Sequence, residues 1–142
     1  MTVNIVPFTP EYQPFIRAIR ESVFIQEQAV PVELEFDGLD ENAMQVLVAV
    51  DGKYVGTGRM LDDGHIGRIA ILRDYRGLGL GAKVVQALVD EAARLGYPRV
   101  YLGAQTHAVD FYAKLGFTPY GEEFMDAGIP HLAMECTVKS DG

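Results

Sequence analysis

Cysteine occurs only once in these 142 residues, as Cys136. No internal disulfide can form, and a reducing compartment, the cytoplasm, is expected. Basic residues are scarce as well: 12 Lys and Arg stand against 20 Asp and Glu, for a net charge of −8. That balance excludes the basic stripe a nucleic-acid surface needs, so nucleic acid is not an expected partner. It mildly favours a cationic substrate such as an amine, although acidic surfaces also serve solubility. No apolar run is long enough to cross a bilayer and no basic-then-apolar leader follows Met1, so no membrane partner is expected. Repeats, low-complexity tracts and linkers are lacking too, which leaves one domain over residues 1–142.

What is present is the patterning of an ordinary packed core, with 49% hydrophobic and 23% charged residues. A strand is expected over 2–7. Thr9 then reads as the cap of a helix with Pro10 in its first turn, ending near Gln28. Tyr12, Phe15, Ile16, Ile19 and Val23 share one face of that helix. Pro31 stops it, and an acidic stretch follows, with Glu33, Glu35, Asp37, Asp40 and Glu41. Strands are expected over 45–50, 54–61 and 65–72, joined by Asp51-Gly52 and Asp63-Gly64 hairpin turns. A helix over 79–95 buries Val84, Val85, Leu88, Ala92 and Leu95, and Gly96 takes the C′ position. The next strand, 99–104, is expected parallel to 65–72 through a right-handed crossover. A short helix over 107–115 ends at Gly116, and strands over 117–120 and 132–138 close the sheet. The sum is α+β: a mixed, mostly antiparallel sheet of about seven strands with helices on both faces.

The most informative stretch is Tyr75-Arg76-Gly77-Leu78-Gly79-Leu80-Gly81-Ala82-Lys83, between the third meander strand and the long helix. Glycines at alternate positions leave the backbone nearly bare at the helix entrance. Unpaired N–H groups and the positive end of the helix dipole attract an anion there. A diphosphate is the natural occupant. A P-loop is excluded, because Gly81 is followed by Ala82-Lys83-Val84 with no Ser or Thr hydroxyl. Gly77, Gly79 and Ala82 formally satisfy a dinucleotide fingerprint, but no acid ends the next strand and a three-strand meander comes first.

One strand further on stands Phe111-Tyr112-Ala113-Lys114-Leu115-Gly116-Phe117. Together with Arg76-x-x-Gly79-x-Gly81, it resembles the paired signatures of the GNAT acyltransferases, and the likeness runs over essentially the whole chain in element order. Val23-Phe24-Ile25-x-Glu27-Gln28-x-Val30-Pro31, Ala104-Gln105-x-His107 and Gly128-Ile129-Pro130-His131 resemble its small bacterial ElaA-like and YjcF-like branch. The resemblance implies acyl transfer from acyl-CoA, in its simplest form acetyl from acetyl-CoA to a primary amine of a small molecule by direct attack in a ternary complex. It implies coenzyme A as co-substrate and no metal. The implied cofactor residues are Ile69, Ala70 and Ile71 on the strand, and Arg76, Gly77, Leu78, Gly79, Leu80, Gly81 and Ala82 in the loop, with Lys83 as a distal charge partner. Tyr112 is implied beside the sulfur, donating a hydrogen bond or proton to the departing thiolate. The alternative is a non-catalytic acyl-CoA-binding module, and a homodimer is the one assembly kept open.

A base is harder to find. Residues 65–71 contain no carboxylate, which departs from the many relatives that place a glutamate on this strand. His131 is the first histidine choice, with His65, His107 and a water chain as alternatives. Glu35, in the acidic segment that often covers the acceptor site in this superfamily, is the carboxylate candidate for binding the ammonium group and helping to remove its proton. For any single acid of that segment, a solvated loop is the plainer expectation. Arg68, mid-strand, needs an acidic partner from the same segment. Cys136 reads as a buried strand thiol and not as a nucleophile, having no helix N-terminus or base beside it.

Overall fold

A computed structural model describes residues 1–138. The chain runs β1 (Thr2–Val6), α1 (Gln13–Arg20), α2 (Val32–Glu35), β2 (Met44–Val50), β3 (Lys53–Met60), β4 (Ile66–Ile71), α3 (Leu80–Arg94), β5 (Arg99–Gln105), α4 (Val109–Lys114), β6 (Thr118–Asp126) and β7 (Ile129–Thr137). It is an α+β fold of seven strands. α1 runs on into a wider π-helical segment, Glu21–Glu27. Thr9 does not cap this helix. Its carbonyl accepts the N–H groups of Tyr12 and Gln13, making a turn before the helix, and Pro14 occupies the first turn instead.

Strands β1–β4 form one antiparallel sheet in sequence order, and β5, β7 and β6 form a second in that order. Period-two alternation on β2 sends Val46 and Val48 to one face and Leu47 to the other. The first face packs against Val84, Val85, Leu88 and Ala92 of α3, and that cluster continues through Val100, Leu102 and Met134 of the second sheet and Phe117 just before β6. Leu47 packs with Ile16, Ile19 and Val23 of the first helix. Helices therefore cover both faces of the first sheet. At Gly58 of β3 an added Cβ would lie 2.5 Å from Val84 Cγ1, so α3 sits closer to the sheet than a side chain would allow.

The two sheets touch edge to edge. The expected parallel pairing of β4 with β5 shrinks to a single bridge, His65 with Tyr101, supported by Tyr101 N–H donating to Gly64 O at 3.0 Å. Beyond that point the strands belong to separate sheets and leave a cleft between two unpaired edges. The closing hairpin is longer than the sequence pattern suggests, with a turn at Ala127 and Gly128, both at positive φ. Among the described residues, no helix is long and apolar enough to cross a membrane.

Candidate active site

The cleft holds a cavity of about 550 Å³, lined from β4, β5, the first helix and its following segment, α4 and the β6–β7 hairpin. β4 is the edge strand of its sheet, so one row of its backbone groups is unpaired by β3. Leu72 N–H donates to Val55 O on β3 at 2.9 Å. Alternation then turns Ala70 toward β3 and the peptide groups of Ile69 and Ile71 toward the cleft. Arg76 Nε donating to Ile71 O at 2.9 Å agrees with that orientation. An extended ligand laid along this edge meets a ready ladder.

The glycine loop borders the cleft: an added Cβ on Gly81 would lie 3.4 Å from Cζ of Phe111, which lines the cavity. Gly77 and Gly79 have φ of +80° and +78°, a region closed to most side chains, and an added Cβ on either meets nothing within 4 Å. The need is conformational, not spatial. The first backbone bond into α3 is Lys83 N–H to Gly79 O, at 3.3 Å. Before it, the N–H groups of residues 77–82 have no partner among the described residues. These donors open a 15-residue helix, where the dipole reinforces attraction for negative charge. Arg76 is not free beside them. Its guanidinium makes a two-pronged pair with Glu27 while Nε holds Ile71 O.

Tyr112 of α4 is half-buried, edge-on to Phe111 and Phe117 at 5.0 and 6.0 Å between ring centroids. Burial pushes its phenol up to about 12, so the hydroxyl keeps its hydrogen at neutral pH. His131 on β7 is buried and lines the cavity. Its Nδ1 lies 2.7 Å from Ile129 O, a contact that requires hydrogen on Nδ1 and leaves Nε2 as the acceptor. The ring stacks on Phe124 at 5.6 Å, and Phe124 itself presses on Gly103, where an added Cβ would sit 2.9 Å from its Cζ. His65 stacks on Tyr101 at 4.7 Å, and burial lowers its pKa. His107 meets Gln105 at 2.7 Å, and Gln105 Nε2 donates to Gln28 Oε1 at 2.9 Å, tying β5 to the end of the first helix. Cys136 pairs in β7 with Val100, and burial raises its thiol pKa. Lys83 lies in the first turn of α3.

The acidic segment is the largest departure from expectation. Glu35 and Asp40 are buried rather than solvated. Arg20 donates to Glu35 Oε2 and Asp40 Oδ1, both at 2.7 Å. Arg59 pairs with Asp37 at 2.7 Å and Asp40 at 3.1 Å, and Arg68 with Glu35 and Asp37 at 3.1 Å each. Three arginines and three carboxylates thus close into one neutral cluster beside the cavity. Burial raises the Glu35 pKa against the pull of Arg68 and Arg20. Asp37 is driven well below the carboxylate range, chiefly by the Arg59 hydrogen bond. Glu35, expected to bind the substrate ammonium and help remove its proton, instead shares its Oε2 between two guanidinium groups, those of Arg20 and Arg68. The expected acidic partner of Arg68 is present. Arg20 and Arg59 escaped the sequence reading, because helix and strand periodicity says nothing about partners 15 to 22 residues away. Among the described residues, no group of three or more His, Cys, Asp or Glu is arranged to hold a metal ion.

Residues 11–138 match the family model described as the acetyltransferase (GNAT) domain. On that match the chain belongs to the GNAT acetyltransferases and is an acyl-CoA-dependent N-acyltransferase. It is 46% identical to the uncharacterized N-acetyltransferase YjcF of Bacillus subtilis over 121 residues, 82% of this chain and 86% of that one. Among solved structures it resembles an acyl-CoA N-acyltransferase of Pseudomonas aeruginosa, with TM-score 0.86, 28% identity, and 96% and 100% of the two chains covered. Escherichia coli ElaA is similar at TM-score 0.85 and 26% identity, over 95% of this chain and 98% of that one.

Proposed function

We propose that the protein transfers an acetyl group from acetyl-CoA to a primary amine of a small molecule, by direct attack in a ternary complex. The observation that carries this reading is the run of unpartnered N–H groups at residues 77–82, opening α3. Their density suits the two linked phosphates of coenzyme A. The pantetheine arm then runs along the β4 edge, bonded to the cleft-facing peptide groups of Ile69 and Ile71, with the thioester carbonyl accepting the Ile69 N–H; Ala70, expected in the same row, turns its peptide groups to Thr57 of β3 instead. Arg76 fixes the loop to the strand end through Ile71 O and to the first helix through Glu27. Lys83 adds a distal positive charge.

The neutral amine attacks the carbonyl carbon, the carbon–sulfur bond breaks, and the amine proton passes to His131 Nε2. Tyr112 donates its hydroxyl hydrogen bond to the departing thiolate. A phenol held near 12 is a weaker acid than an ordinary thiol, so hydrogen bonding, not full transfer, is its contribution. Glu35 is assigned to the arginine cluster and not to the base. The apolar and aromatic lining, including Leu34, Phe24 and Phe124, fits an acceptor with a hydrocarbon or ring body.

Thiol release from acetyl-CoA over a broad panel of small primary amines tests the reading. Acceptor-dependent release supports it. Tight coenzyme A binding with no release over the whole panel would favour the non-catalytic module.

A further inference from the structure

Arg68 holds a φ of +54° in the middle of β4, a conformation that side-chain-bearing residues rarely adopt. The pairing with β3 shows why. Thr57 faces Ala70 and Arg59 faces Gly67, so Arg68 and Ile69 together oppose the single residue Gly58. This is a β-bulge, with one peptide group too many for the ladder. It lies on the cleft edge, directly before Ile69.

Such a conformation persists only where its surroundings over-determine it. Five contacts do so here. Arg68 Nε meets Glu35 Oε2 at 3.1 Å and Glu35 O at 3.3 Å. Its Nη2 donates to Leu34 O at 3.1 Å, Glu35 O at 3.2 Å and Asp37 Oδ2 at 3.1 Å. The acceptors are themselves fixed, Glu35 by Arg20 Nε at 2.7 Å and Asp37 by Arg59 Nη2 at 2.7 Å. α1, α2 and β3 thus all bear on one guanidinium, whose own backbone is the strained link of the edge strand.

We propose that Glu35 and Asp37, acting through Arg68, lock the β4 bulge so that the Ile69 N–H stays aimed at the thioester carbonyl. They are positioning residues, and none of the three touches the reacting atoms. The inference rests on the Ile69 role stated above. Pre-aimed donors need no reorganisation as charge develops, so loosening the bulge costs turnover more than cofactor binding.

The test compares Arg68→Ala with Arg68→Gly. Both remove the guanidinium, but glycine takes φ +54° without strain and alanine does not. The expected result is a kcat about 100-fold down in Arg68→Ala and restored at least about 10-fold by glycine, with KM for acetyl-CoA within about 3-fold in both. Glu35→Gln lowers kcat in the same pattern. Equal kcat in the alanine and glycine variants would overturn the proposal, as would a loss confined to the acceptor KM, which would make Arg68 a substrate contact. A second readout needs no turnover: the Ile69 amide resonance shifts when acetyl-CoA replaces coenzyme A, in the wild type and Arg68→Gly but not in Arg68→Ala. A protein that binds acetyl-CoA yet transfers nothing would refute the proposed function, while this resonance would still decide the lock. An Ile69 amide indifferent to the acetyl group in the wild type overturns it.

Discussion

The guanidinium of Arg76 meets the carboxylate of Glu27 along both edges, Nη1 to Oε2 and Nη2 to Oε1, each at 2.9 Å. The arginine of the glycine-loop signature is therefore engaged by protein, and under the proposed function the diphosphate is left to the backbone. Exposed pairs of this kind contribute at most about 1 kcal/mol. Glu27→Gln is expected to leave both the fold and coenzyme A affinity nearly intact, within about 3-fold by calorimetric titration. Gly79→Val, forced into a φ of +78°, should lose at least about 100-fold in the same titration.

Tyr112→Phe and His131→Ala separate chemistry from binding. Each should lower kcat by roughly 100-fold while the dissociation constant for coenzyme A stays close to wild type. Wild-type turnover in Tyr112→Phe would reduce that residue to its packing against Phe111 and Phe117.

Much of this was legible in the chain itself. Asp51 and Gly52 turn with φ of +50° and +77°, as the hairpin signal demands. The apolar faces of the first helix and α3 fall largely where periodicity puts them, except that Phe15 and Leu95, expected on those faces, are exposed. The β6–β7 hairpin was half missed. Glu122, Glu123 and Asp126 give β6 no alternating pattern because the whole strand is exposed, and its turn uses Ala127 at φ +51° where Asn or Asp is the usual signal. Of the arginine–carboxylate cluster only the need of Arg68 for an acidic partner could be read; its other two arginines, and the bulge at Arg68, were invisible for a different reason. Both arise from packing between distant segments, and no local propensity encodes them.

Acid should unfold the protein through that cluster. Asp37 is held down chiefly by its Arg59 hydrogen bond; for Asp40 burial pushes upward, but Arg20 and Arg59 prevail and the pKa is lowered. A lowered carboxylate contributes stability that is present above its unfolded value, about 3.9, and is lost as pH falls through the folded value. Glu35, raised by burial, runs the other way and opposes the two aspartates. The melting temperature should drop as pH falls below about 4. Asp37→Asn should melt lower at neutral pH yet lose less on acidification. An equal acid slope in wild type and variant would remove Asp37 from the account.

Gly103→Ala probes the acceptor side alone. The new methyl, 2.9 Å from Phe124 Cζ, must displace that ring and disturb its stack on His131. The expected effect is a several-fold rise in acceptor KM with acetyl-CoA affinity unchanged. A change in acetyl-CoA affinity instead would mean that Phe124 borders the cofactor.

The account stands or falls on the main-chain amides that open α3. Amide resonances of residues 77–82, followed during titration with acetyl-CoA, test this most directly. The account predicts that they shift together and saturate at the calorimetric dissociation constant, and that Gly79→Val abolishes the response. Saturable acetyl-CoA binding that leaves these six resonances unmoved would contradict it.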